Sequence, residues 1–179
     1  LRDSLNKRDI AFFSYDKRTS NPKNRIHLEG VIFDDLVTDA KKVISFLKNK
    51  GFTSSGVEMQ FKNITLIGHS QGSLAAMLAS EGIDKYISLA GPSERIDKAI
   101  VRQITAQNAG LGEVAEAHFK ELAETGDVKE VNPFLISIFA KPNFPFLRNW
   151  IQYDPVEEIK KMTIPTLIIN GTKDSQVKV

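Results

Sequence analysis

The chain has 179 residues, enough for one domain with a sizeable core. Its formal net charge of +2 gives no case for nucleic acid or an anionic membrane surface. It contains no cysteine, which excludes disulfides and thiolate metal sites and fits a reducing, cytoplasmic compartment. No apolar run reaches the ~18 residues that a membrane-spanning helix needs.

Leu1 to Arg8 reads as the end of a helix that Asp9 breaks, and Ile10 to Tyr15 as a short buried strand. Asp16 to Leu28 is polar, basic and turn-rich, with Asn21-Pro22 marking a loop. The Asp16-Lys17-Arg18 cluster is expected to tie that loop down, with a substrate role as the alternative. Val31 to Lys50 is the clearest helix: Phe33, Leu36, Val37, Ala40, Val43, Ile44 and Leu47 make one apolar face at helical spacing. Asp34 and Asp35 in its first turns and Lys48 and Lys50 in its last suit the helix dipole, and Gly51 is a natural stop. Gly51 to Lys62 reads as a loop.

The next stretch organises the rest. Asn63 to Ile67 is an apolar, β-branched run that leads into Gly68-His69-Ser70-Gln71-Gly72, and a small-residue helix follows from Ser73 to Ala79. Gly-x-Ser-x-Gly between a strand and a helix is a nucleophile elbow, in which the serine sits on a sharp, strained turn with its hydroxyl exposed. Gly68 and Gly72 are expected to let strand and helix approach closely. The helix start aims N–H groups and positive dipole at the place where an oxyanion forms, with the Gln71 N–H as first donor.

Gly82 ends that helix and Tyr86 to Ala90 reads as another buried strand. Strands alternating with helices predict an α/β fold with a mostly parallel sheet covered on both faces. Residues 91–163 break the rhythm with a long helical block, expected to be an insertion that caps the elbow as a lid. Ile96, Ile100, Gln103, Ile104 and Gln107 mark a first helix; Val114, Ala115, His118, Phe119 and Leu122 mark a second. Phe134 to Ala140 marks a third, and Asp154-Pro155 opens a capped fourth. Phe134, Phe139, Phe144, Phe146, Leu147, Trp150 and Ile151 either line an acyl pocket, with Phe146 and Trp150 as substrate-binding candidates, or form the lid's own core. Ile164 to Asn170 is a last strand, ending in Gly171-Thr172-Lys173-Asp174. The expected organisation is one domain: core over 1–90, insertion over 91–163, and core strand with its turn over 164–179.

Four patches carry a resemblance. Ile10 to Thr19, the elbow, Ile87 to Pro92 and Pro165 to Asp174 resemble, in order and spacing, the α/β-hydrolases of the bacterial serine esterase and serine-aminopeptidase-like branch. The likeness runs over nearly the whole chain. It implies a serine hydrolase that cleaves small acyl esters through an acyl-enzyme, without cofactor or metal. An aminopeptidase or thioesterase on the same scaffold, or a non-catalytic fragment or binding module, is the alternative reading. Ser70 is then the nucleophile and Asp174 the acid that orients a histidine.

That histidine is expected after the acid, and no histidine follows Asp174 here. His69 is expected to pack into the fold, His27 to be solvated in its loop, and His118 to be a satisfied core histidine. The family's second oxyanion donor and a strand between Ile10–Tyr15 and the elbow strand are also missing. The resemblance therefore implies a chain truncated at both ends. The expected signs are a gap in the sheet, a strand supplied by a partner chain, or residues outside these 179. Two sequons, at Asn63 and Asn170, fall in or beside strands expected to be buried.

Overall fold

The computed structural model describes residues 1–20, 23, 30–54 and 56–177. Its longest helix, α2 (Phe33–Lys50), follows α1 (Arg2–Asn6). The apolar stripe of α2 is buried at Phe33, Leu36, Val37, Ala40 and Ile44, as its spacing requires. The Asp35 carboxylate accepts the Ile32 N–H at 2.9 Å, and Gly51 ends the helix at φ 60°. Asp34 does more than face the dipole. It accepts from Tyr153 Oη at 2.5 Å and from Asn149 Nδ2 at 3.1 Å, while its N–H donates to Asn149 Oδ1 at 2.8 Å.

The segment after α2 is a small antiparallel hairpin, β1 (Phe52–Ser54) with β2 (Val57–Met59), where the sequence suggests only a loop. The second sheet is parallel. β3 (Thr65–His69) pairs with β4 (Lys85–Leu89), and β4 with β5 (Thr166–Ile169), in the order β3-β4-β5. Helix α3 (Gln71–Leu78) connects β3 to β4 and packs on the face that carries Gly68, Tyr86 and Ser88. Its Leu74, Ala75, Ala76 and Met77 are buried in one core with the α2 stripe, Ile83 and Tyr86. The architecture is thus α/β: a small parallel sheet flanked by helices.

Three expectations about the sheet fail. Ile10–Tyr15 is not a strand: it is irregular, with Ile10, Phe13 and Tyr15 about half-exposed. A strand is held by its partners, and no described residue pairs with this segment or with the free edge of β3. Among the described residues the sheet is not covered on both faces: α1 contributes no buried residue, and α3 is the helix seated on the strands. For the same reason β5 is exposed along its length, with Leu167, Ile168 and Ile169 each at least 50% accessible. Asn63 is exposed, and Asn170 is half-buried with its Oδ1 unpartnered, so neither sequon sits in a buried strand.

Residues 91–163 are helical. α4 (Ile96–Gln107) and α5 (Ala109–Thr125) form a close pair, the Asn108 side chain capping α5 through the Leu111 N–H. A 3-10 turn (Pro133–Leu135) leads into α6 (Ile136–Phe139), then α7 (Phe144–Trp150) and α8 (Pro155–Lys160). Asp154 Oδ1 caps α8 through the Val156 N–H at 2.9 Å, and Pro155 holds its first position. This block has a core of its own, built on Ala115, Phe119, Leu122, Leu135, Phe139 and Leu147. α7 joins the two cores. Its Phe144 and Leu147 enter the block's core, while Phe146 and Trp150 pack against the core of α2 and α3. Among the described residues no helix is long and apolar enough to cross a membrane.

Candidate active site

The turn at Ser70 is built by its neighbours. Ser70 has φ 52° and ψ −125°, a conformation that side-chain-bearing residues rarely adopt. Its N–H is held by the Leu89 carbonyl at 3.0 Å, so β4 fixes the turn from the side. A Cβ at Gly68 would approach Gly72 O, Gly72 C and Ser73 Cα closer than 3.0 Å, which is why this position admits only glycine. Gly72 does not share that role: a Cβ there meets nothing within 4 Å. Ser70 and Gln71 are half-buried. The Gln71 N–H opens the first turn of α3, whose third amide, Ser73 N–H, is taken by the Ser70 carbonyl at 2.9 Å.

Under the turn lies a buried hydroxyl cluster. Ser73 Oγ is 2.5 Å from Tyr86 Oη and 2.7 Å from Ser88 Oγ, and Tyr86 Oη also donates to the Ser73 carbonyl at 2.9 Å. Burial pushes the Tyr86 phenol above its ordinary pKa, so it stays a neutral donor. Gly91 closes the cluster, since a Cβ there would run into both serine side chains. The strained residue at this strand end is instead Ala90, at φ 46°, with its N–H bonded to the Ile169 carbonyl at 2.8 Å.

Asp174 lies in the turn after β5, its N–H bonded to the Gly171 carbonyl at 3.0 Å. Its Oδ1 accepts the N–H groups of Val177 at 3.0 Å and Gln176 at 2.9 Å. Those two bonds, and then the nearby charge of His69, hold the carboxyl below the usual carboxylate range. The carboxylate is therefore both a turn-maker and a group in electrostatic reach of His69.

His69 corrects an expectation: it is exposed rather than packed inward. Side chains alternate along β3, and Gly68 occupies the face under α3, which puts His69 on the face opposite α3. His118 is buried, accepts the Asn132 N–H on Nε2 at 3.1 Å and meets the Phe139 ring edge-on at 5.1 Å. That satisfies it as a core residue. His27 lies outside the described residues, as do Asn21 and Pro22. No hydrogen bond joins Ser70 Oγ or the Asp174 carboxylate to a histidine among the described residues.

The loop before α2 is tied down by Arg18, whose guanidinium makes bonds of 2.7 and 2.6 Å to the two Asp39 oxygens and reaches Asp35 at 3.2 Å. Lys17 reaches the other way, to Gln71 Oε1 at 3.0 Å, so this loop touches the first residue of α3. A concavity of about 430 Å³ lies beside Tyr15, Arg18 and Asp39, but Arg18 and Asp39 already bond each other and Ser70 is not among its walls. Phe146 and Trp150 sit in an aromatic group. Trp150 stacks on Phe33 at 5.2 Å, and Phe146 meets both rings edge-on at 6.0 and 5.8 Å. Their contacts are with α2, at the seam between the two cores. Among the described residues no group of three or more His, Asp or Glu side chains is placed to hold a metal ion.

The strands' parallel register brings the Ser70 turn, Ala90 and the Asp174 turn to one edge of the sheet, at the C-terminal ends of three neighbouring strands. Sequence reasoning missed the Ser73–Tyr86–Ser88 cluster and the Lys17 contact; the polar residues at alternate positions of β4 were the available signal. No family model matches this chain, and neither the curated proteins nor the solved structures contain a match.

Proposed function

We propose that this chain carries the nucleophile and acid of an α/β-hydrolase that cleaves carboxylic esters through an acyl-enzyme, with residues 91–163 as its lid. The observation that carries the reading is the backbone of Ser70: a serine held at φ 52° between a parallel strand and the helix it starts. Such strain persists where the surroundings over-determine it, and it clusters at functional sites. Here it sets a hydroxyl at the sheet edge beside the Gln71 amide at the start of α3, which suits attack on a carbonyl and binding of the resulting oxyanion.

In the proposed reaction Ser70 Oγ bonds to the ester carbonyl carbon and its proton passes to a histidine. The Gln71 N–H takes the oxyanion. The C–O bond to the alcohol breaks as the histidine returns the proton to it, and water then releases the acid from Ser70. Asp174 holds the histidine's tautomer. The test uses the protein expressed from its full coding sequence.

A fluorophosphonate probe is expected to label Ser70 stoichiometrically, and Ser70→Ala to lower kcat by roughly 10⁴ or more with the fold kept. Absent labelling, or more than about a tenth of parental turnover in pure Ser70→Ala, sinks the reading. A panel of ester, thioester and aminoacyl-anilide substrates sorts esterase from thioesterase and aminopeptidase.

A further inference from the structure

We infer that Arg102 and Gln103 of α4 are positioning residues for the proposed acid, holding the Asp174 turn by its Gln176 carbonyl. This rests on the reading of Asp174 as that acid. Arg102 Nη2 donates to Gln176 O at 2.9 Å and Gln103 Nε2 donates to the same oxygen at 3.0 Å. A carbonyl oxygen has two lone pairs, and these two donors use both. The donors stand more than 70 residues earlier in the chain and in the helical block, not in the sheet.

The turn needs such a tether. It follows an exposed edge strand, and its own bonds are local: Asp174 N–H to Gly171 O, and the Gln176 and Val177 amides to Asp174 Oδ1. Local bonds shape a turn but do not place it against the rest of the molecule. The Gln176–Val177 peptide does both jobs, because its N–H, that of Val177, donates to the acid and its carbonyl accepts from α4.

The tether is itself braced. Glu94 accepts from Arg102 Nε at 2.8 Å and lies 2.7 Å from Nη2, so the guanidinium is aimed before it meets the turn. α4 is fixed against α5 at Gly112, where a Cβ would reach Thr105 Cα at 2.9 Å. The acid is therefore referenced to the helical block, and a displacement of α4 displaces the carboxylate.

The test is the double variant Arg102→Lys, Gln103→Leu, which keeps a cation for Glu94 and removes both bonds to Gln176. Lys98→Ala, on the same helix but in an exposed pair with Glu116, is the control. Carboxyl-carbon NMR reads the Asp174 titration, and hydrogen exchange reads the Gln176 and Val177 amides.

The double variant should raise the Asp174 pKa toward the ordinary carboxylate value and speed exchange of both amides roughly tenfold. The rate of Ser70 labelling should fall about 10- to 100-fold, the scale of a small misplacement rather than of a lost acid. Lys98→Ala should change none of these. An unmoved titration with unmoved exchange overturns the tether, and a moved titration with parental labelling overturns the positioning role. Should the parent fail to label while the titration moves, the tether stands and the hydrolase reading falls.

Discussion

The two glycines of the Gly68–Gly72 motif should respond to alanine with opposite sign. At Gly68 the new Cβ meets three backbone atoms, Gly72 O, Gly72 C and Ser73 Cα, all inside 3.0 Å. Backbone cannot swing aside as a side-chain end can. α3 must lift from β3, which disturbs packing at Leu74 and Met77 and moves Ser70. Overpacking of this kind costs about 1–3 kcal/mol. With a urea m-value of about 2 kcal/mol/M, the unfolding midpoint should fall by roughly 0.5–1.5 M. At Gly72 the Cβ enters open space and φ is not positive, so the gain is the unfolded-state entropy term of about 0.4–1 kcal/mol. The midpoint should then rise by roughly 0.2–0.5 M. Urea unfolding followed by far-UV circular dichroism measures both, and fluorophosphonate labelling reports Ser70 in parallel. Equal midpoints for Gly68→Ala and the parent would refute the steric argument, as would a loss at Gly72 matching the loss at Gly68.

Tyr86→Phe removes a buried hydroxyl bonded to Ser73 Oγ and to the Ser73 carbonyl, and should cost about 1–3 kcal/mol in the same urea assay; an unchanged midpoint would mean that the hydroxyl cluster adds nothing to stability. Tyr153 has its pKa raised from 10.0 to about 12 by burial and then by the bond to Asp34. A raised folded-state value gives stability that is complete below pH 10 and lost as pH climbs through 12. Between those limits the melting temperature of the parent should therefore fall more steeply than that of Tyr153→Phe, and parallel curves would show that folding does not raise the Tyr153 phenol.

Helices with one apolar stripe were legible. α2, α4 and α5 follow their spacing, and α8 follows its Asp-Pro cap. α7 was not, because Phe144, Phe146, Leu147 and Trp150 face two cores, and a helix apolar on both sides shows no stripe. The β-branched runs at β3, β4 and β5 named three strands, but burial was misjudged at β5 and strand formation at Ile10–Tyr15. Both depend on what lies alongside, and a local run carries no record of its neighbours. The β1–β2 hairpin has strands of three residues, too short for alternation to register. At the candidate site the Ser70 turn was legible because its geometry is written in five adjacent residues. The holds on it from Leu89 and Lys17, and the hold on the Asp174 turn from α4, were not, since each joins distant parts of the chain.

The same distance explains how the site edge keeps its strain. Ser70 at φ 52° and Ala90 at φ 46° each cost of order 1–3 kcal/mol, and they end adjacent strands. Each has its amide taken by the next strand: Ser70 by Leu89, and Ala90 by Ile169. Relaxing either residue would release a bond in the neighbouring strand pair. Relaxing both would also open the contact of Gly91 over Ser73 and Ser88, whose buried hydroxyls bond each other. The cost is therefore met by a row of β3, β4 and β5 bonds rather than by any residue of the turn itself. β5 accepts the last of these bonds, and the turn that follows it holds Asp174 and is tied to α4. Strain at Ser70 and placement of Asp174 are thus two ends of one hydrogen-bonded row, and a change at β5 should be felt at Ser70 although the two do not touch.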